Sequence, residues 1–340
     1  MAVSPLFGAA DTGADPFGER SATCFSLYKQ ILGGLFRFES ASEALLGLVG
    51  AAYGGLPEHR LGLNFPELHI ELRLAARRVT ADAAEPPPVM TQAGAGLLCG
   101  VIDSSNYAIV SPGQYRALVV ASEDMLESPY HLRYELIEFA VFMLAARALG
   151  LVSLHAACVG RRGRGVLLLG PSGSGKSTLA LCSLLQGLEL LAEDAVFVQP
   201  QSLLATGVAN YLHVRADALG FVDNDAARRW ITQSPIIRRR SGVQKFEADL
   251  RLGTGALAAA PLELISVVFA STQAADDPGE LLIPLSREDM AARLRADQAY
   301  AAGQPAWPHF EERVLQLTNY ELRRGGHPRA AAEALRRLLD

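Results

Sequence analysis

The sequence predicts an α/β protein in two parts, a small N-terminal α/β domain and a larger C-terminal domain in which strands and helices alternate. Three observations carry this. The chain has 340 residues, enough for two domains at the usual ~150 residues each. Half of its residues are hydrophobic and 20% are charged, the balance of a folded chain rather than a disordered or fibrous one. After residue 150 the texture becomes strand, glycine-rich turn, helix, strand.

Residues 1–20, rich in Gly, Ala, Pro and Asp without periodicity, read as a flexible leader. The N-terminal domain is placed at residues 21–130. Leu35 to Phe38 reads as a strand, and Ser40 or Ser42 caps a helix that Gly54-Gly55 ends. His69 to Leu74 alternates polar and apolar as a half-buried strand does. The tract with Pro86, Pro87 and Pro88 is a loop, because proline removes backbone donors. Two more strands, Leu97 to Ile102 and Ala117 to Val120, flank SSNYAIVSPGQ, which reads as turns. The second domain is placed at residues 131–340. It opens with a helix from Tyr134 to Leu149, closed by Gly150, and continues with one apolar strand from Val152 to Gly160. PLELISVVFAS from Pro261 supplies a buried strand, and HPRAAAEALRRLLD from His327 an amphipathic helix.

Charge and composition exclude several classes of function. A net charge of −5 argues against a broad nucleic-acid footprint. Cys24, Cys99, Cys158 and Cys182 form no CxxC pair and read as reduced, mostly buried thiols. The most membrane-like stretch, Ile137 to Leu154, contains Glu138 and Arg147, so no bilayer span is expected. A secretory signal is not expected either, and the cytoplasm is the default location. Lysine occurs only at Lys29, Lys176 and Lys245, which draws attention to each.

The strongest motif is Gly170-Pro171-Ser172-Gly173-Ser174-Gly175-Lys176-Ser177, followed by Thr178. It fits G-x-x-x-x-G-K-[ST], a pattern that these residue frequencies produce by chance roughly twice in a thousand such sequences. The apolar run Val166 to Leu169 precedes it and a helix follows. Glycines let the backbone aim several N–H groups into one concavity, and the helix N-terminus adds positive charge. Such a loop cradles a nucleoside triphosphate, with Lys176 reaching the β- and γ-phosphates and Ser177 placing its hydroxyl on Mg²⁺. ATP and Mg²⁺ are the expected cofactors.

Leu188 to Ala192 is an apolar strand ending in Glu193 and Asp194. Ligands of open α/β sheets bind at the carboxyl ends of strands, so both acids are expected to face the loop. Successive strand residues point to opposite faces, so one would hold Mg²⁺ and the other take a proton from an attacking hydroxyl. His155, on the strand just before the one that feeds the loop, is of a type that is ordinarily a satisfied core residue.

Ser153 to Val198 resembles the catalytic core of the HPr serine kinase/phosphorylase family: a Leu-His before a small-residue strand, a turn, the glycine loop, a short helix ended by Gly187, and an acidic pair. In layout the whole chain resembles the HPr-kinase-related proteins of bacteria, which include tailoring kinases of lasso-peptide clusters. The resemblance implies a P-loop kinase core of the type shared with phosphoenolpyruvate carboxykinase. It implies phosphate and metal roles for Lys176 and Ser177, with Asp194 deprotonating an acceptor serine and helping to hold the metal. His155 would lie near the transferred phosphate, and Glu193 replaces the family's first Asp. Two departures stand out. Leu212-His213-Val214-Arg215 puts His213 where the HPr kinases carry an acidic metal ligand, and their long following signature is missing, which argues against HPr as substrate. Ser241 to Phe246 is similar to a Gly-x-Lys turn of the related tailoring kinases, so Lys245 is a candidate second phosphate clamp or a surface lysine. Arg238-Arg239-Arg240 is either a solvated charge run or a grip on an acidic peptide or product phosphate.

Taken together, these features predict an ATP- and Mg²⁺-dependent serine kinase acting on a peptide or small protein, without nucleic-acid or membrane partners. A small-molecule kinase and a non-catalytic ATP sensor are the alternatives. Homo-oligomer formation and a reverse phosphorylase activity are left open.

Overall fold

The computed structural model describes residues 24–62, 65–77, 85–277 and 279–340. The expected leader lies outside them, as does the start of the proline-rich loop. The first sheet has seven strands: β1 (Phe25–Ile31), β2 (Gly34–Ser40), β3 (Leu68–Ala75), β4 (Met90–Gly94), β5 (Leu97–Asp103), β6 (Asn106–Ser111) and β7 (Arg116–Ser122). Their order is β1-β2-β3-β7-β6-β5-β4, with β3 parallel to both β2 and β7. Helix α1 (Glu43–Tyr53) begins at Ser42, whose side chain accepts from the Leu45 amide. A helical run then follows as α2 (Pro129–His131), a wider π segment (Leu132–Ile137) and α3 (Glu138–Ala148), and its apolar face joins the core of the first sheet.

Beyond α3 come β8 (Val152–His155), β9 (Ala157–Arg161), β10 (Arg164–Leu169), α4 (Lys176–Leu185), β11 (Glu189–Ala192), β12 (Ala195–Val198) and β13 (Leu204–Gly207). A three-stranded sheet follows, built from β14 (Tyr211–Val214), β15 (Ile236–Arg238) and β16 (Gln244–Asp249), with α5 (Asp225–Thr232) between its first two strands. The chain then returns through β17 (Leu262–Ala274), β18 (Leu282–Pro284), α6 (Arg287–Asp297), α7 (Ala299–Ala302), α8 (Trp307–Val314), β19 (Thr318–Arg324) and α9 (Pro328–Leu339). The large sheet has nine strands, ordered β11-β9-β10-β17-β13-β12-β8 with β19 beside β17 and β18 beside β19.

That order forces the large sheet to curl. In a flat sheet β11 and β12 would stand roughly 24 Å apart at ~4.8 Å per strand. Only Glu193 and Asp194 join them, a link that spans at most about 11 Å. The junction of β8 and β9 through Ala156 makes the same demand, and the Ala156 amide donates to the Asp194 carbonyl at 3.2 Å. Gly207 permits the closure: a Cβ there would lie 2.5 Å from Ala192 Cβ and 2.8 Å from the Leu191 carbonyl oxygen. The two acids therefore sit at a corner where the sheet folds over itself.

Alternate residues of β10 feed opposite cores. Val166 and Leu168 pack with α4 and α9, whereas Leu167 and Leu169 pack with α6 and α8. This is the reason for the unbroken apolar run before the glycine loop.

Several expectations need correction. The segment read as turns holds β6, whose Asn106, Ala108 and Val110 are buried at period two. The single strand from Val152 to Gly160 is two, broken at Ala156, so β9 lies between His155 and the strand feeding the loop. Only Cys158 and Cys182 are buried; Cys99 is half-buried and Cys24 exposed. Among the described residues no helix is long and apolar enough to cross a membrane.

Gly207→Ala should cost about 1–3 kcal/mol through overpacking against rigid backbone. Chemical denaturation would check this, and unchanged stability would contradict the close approach at the corner.

Candidate functional site

A cavity of ≈ 800 Å³ opens where the end of β10, the β11–β12 corner and the β15–β16 hairpin meet. Its size is that of a small-molecule cleft. Residues 171–178, His155, Glu193, Asp194 and Lys245 all line it. Gly170 lies beneath, with φ 130° and no room for a side chain, since a Cβ would come within 2.7 Å of the Ala270 carbonyl oxygen. Gly173 (φ 83°) and Gly175 (φ 101°) have open space around them, so what they supply is the left-handed backbone.

The loop is rich in unanswered donors. Among the described residues, the amides of Gly173, Gly175, Lys176, Ser177 and Thr178 meet no protein acceptor, and the buried Ser174 Oγ has no partner. Together with the start of α4, these groups form a concavity suited to an anion. Lys176 Nζ donates to the carbonyls of Gly170 and Pro171. Burial lowers its pKa, against the opposing charges of Asp297, Asp194 and Glu193.

The two acids do different things. The Ser177 hydroxyl donates to Glu193 Oε1, while Glu193 Oε2 faces His213 Nδ1 at 3.2 Å. His213 Nε2 faces Glu247 Oε1 at 3.3 Å. With a carboxylate at each nitrogen the ring donates twice, as an imidazolium does. Burial opposes that charge, but the hydrogen bonds to Glu193 and Glu247 outweigh it and raise the His213 pKa. The chain continues inward: Arg133 donates to Glu247 at 2.5 Å and pairs with Glu138 at 3.4 Å, and Asn210 donates to Glu138 at 3.4 Å.

Asp194 turns the other way. His155 Nε2 lies 3.0 Å from its Oδ1, while Tyr134 Oη and Arg239 Nη2 donate to its Oδ2 at 3.2 and 3.3 Å. Burial would raise the Asp194 pKa, but the His155 hydrogen bond and the charges of Arg239 and His155 hold it well below the usual carboxylate range. His155 is fixed in turn by Gln298, which accepts from its amide at 2.9 Å and donates to its carbonyl at 3.1 Å.

The arginine run divides into three. Arg238 is exposed and faces Glu85 at 3.7 Å, Arg239 lines the cavity and reaches Asp194, and Arg240 lines it too but is held by Glu135 at 2.6 Å and the carbonyls of Pro86 and Pro87. Arg239 also lies over the Tyr134 ring, 4.9 Å from its centroid, and Tyr134 stacks on Tyr130. Lys245 lines the cavity without an ionic partner among the described residues, and burial lowers its pKa, against the attraction of Glu193. Sequence reasoning missed Tyr134, which donates to Asp194, and Tyr130 and Glu247, which reach the acids through Arg239 and His213. The Tyr130/Tyr134 pair at i,i+4 on a helical run was the available signal.

Because the folded-state pKa of His213 is raised, its contribution to stability is full below about pH 6.5 and is lost as pH rises through the elevated value. Melting temperatures between about pH 6 and 9 should therefore fall with pH in the wild type and stay flatter in His213→Gln. Parallel curves would contradict the charged bridge.

No protein-family model matches the chain, and no curated protein matches it. Among solved structures, the Hpr(Ser) kinase/phosphatase from Coxiella burnetii shows a distant likeness, with a TM-score of 0.27 and 14% identity over 55% of this chain and 89% of that one.

Proposed function

We propose that the protein is an ATP- and Mg²⁺-dependent phosphotransferase that moves the γ-phosphoryl group to a serine-type hydroxyl of a peptide or small protein, such as a ribosomally made peptide awaiting tailoring. One observation carries the reading: a cradle of unsatisfied amides with Lys176 and Ser177 shares one cavity with the Glu193–Asp194 corner. In this scheme residues 131–340 form the catalytic part and residues 21–130 bind the substrate or a partner.

The loop amides and Lys176 would hold the phosphate oxygens and stabilise charge on the transferring group. Ser177 and Asp194 offer hard oxygen ligands, the donor type that Mg²⁺ takes a few at a time. A Mg²⁺ held by these oxygens would supply positive charge that offsets the charge of the phosphates. The acceptor oxygen forms a bond to the γ-phosphorus as the bond to the β-phosphate oxygen breaks, and ADP leaves. Asp194, held as a carboxylate, would align the hydroxyl and receive its proton late, since little proton transfer is needed in a loose transition state. His155 would add a donor near the transferred group, and Arg239 and Lys245 would add positive charge opposite the loop.

The reading is tested by incubating the purified protein with labelled ATP, Mg²⁺ and the short peptides encoded beside its gene, with intact-mass readout. The expected result is a gain of one phosphate on a peptide serine, slowed about 100-fold or more in Lys176→Ala and in Asp194→Asn. ATP binding with no phosphorylated product from peptide or small-molecule acceptors would overturn transfer in favour of a sensor.

A further inference from the structure

We propose that Phe221 and His327 form a nucleobase subsite at the apolar end of the cavity; this deepens the nucleotide reading and rests on it. The cavity wall is divided by chemistry. His155, Asp194, Tyr134 and Arg239 form one hydrogen-bonded group. Leu181, Ala218, Leu322 and Ala331 form another, packed together in the core between α4 and α9. Leu181 lies one helical turn beyond Ser177 on α4, so it shares that residue's face.

At this second end the Phe221 and His327 rings meet edge to face, 5.3 Å apart at 87°. Phe221 closes the short helical turn Ala216–Phe221 after β14 and remains 37% exposed. An exposed aromatic ring lining the apolar end of a cleft offers a surface for a flat apolar group. His327 is held in place because its Nδ1 accepts the Arg329 amide at 3.0 Å as the N-cap of α9. Arg324, three residues earlier, donates to the Gly173 carbonyl at 3.3 Å, tying this segment to the glycine loop. A ligand with its phosphates on the loop amides therefore finds carboxylates on one side and an aromatic, apolar wall on the other. That is the asymmetry of a nucleoside triphosphate.

The test is calorimetric binding of ATP and of inorganic tripolyphosphate, both with Mg²⁺, to the wild type, Phe221→Ala and Phe221→Tyr. Losing a base–aromatic stack should weaken ATP binding about tenfold or more in Phe221→Ala. Tripolyphosphate affinity should stay within about twofold, and Phe221→Tyr should restore ATP binding. An unchanged ATP affinity in Phe221→Ala, an equal loss for both ligands, or a wild type that binds ATP no tighter than tripolyphosphate would each overturn the subsite. A wild type that binds neither ligand would instead overturn the nucleotide site on which it rests.

Discussion

The placement of Glu193 depends on a histidine held between two carboxylates. His213 spans Glu193 and Glu247, and Arg133 ties Glu247 to Glu138, so basic and acidic groups alternate from the cavity wall into the interior, where burial pushes the Glu138 pKa up. All five residues are buried. Desolvating them is costly, and the arrangement persists because each group has an opposite neighbour within ion-pairing distance. Removing one member leaves a buried charge unpaired, which costs more than the pair contributes. The row therefore fixes geometry more than it adds stability, and the geometry it fixes is that of the carboxylate bound to the Ser177 hydroxyl.

This row also couples the cavity to the first sheet. Arg133 and Glu138 belong to the helical run whose apolar face completes that sheet's core. Further ties run from the segment after α1 to the second half of the chain: Arg251 donates to the Gly54 carbonyl at 2.7 Å, and His59 lies between Thr206 Oγ1 at 2.8 Å and the Ala258 carbonyl at 2.9 Å. The curl of the large sheet supplies the other half of the placement. It brings the ends of β8 and β11 to one corner, so that His155 meets Asp194 although 39 positions separate them in the sequence.

What was legible in the sequence was local. The glycine loop could be read because its chemistry needs contiguous residues at fixed offsets, and the strand and helix around it follow from their apolar runs. Lys245 could be singled out because lysine is rare here, and it does line the cavity. The break at Ala156 was hidden because β9 is buried on both faces, so no period-two signal marks where β8 ends and β9 begins. β6 was hidden because Asn106 and Ser111 look like turn residues, yet Asn106 is buried and accepts from the Ser122 amide and hydroxyl. His213 could be seen to differ from an acidic ligand, but its two carboxylate partners come from β16 and the corner, a meeting that only topology creates. Arg239 looked like one of three equivalent charges until the hairpin sent each in a different direction.

The central claim is that the glycine loop and the corner acids form a single site for a magnesium–nucleotide. Calorimetric titration of ATP with and without Mg²⁺, into the wild type and Ser177→Ala, tests it most directly. The account predicts binding that Mg²⁺ strengthens in the wild type, with the gain from Mg²⁺ largely lost in Ser177→Ala. An affinity indifferent to Mg²⁺, or a gain that survives intact without the Ser177 hydroxyl, would contradict it.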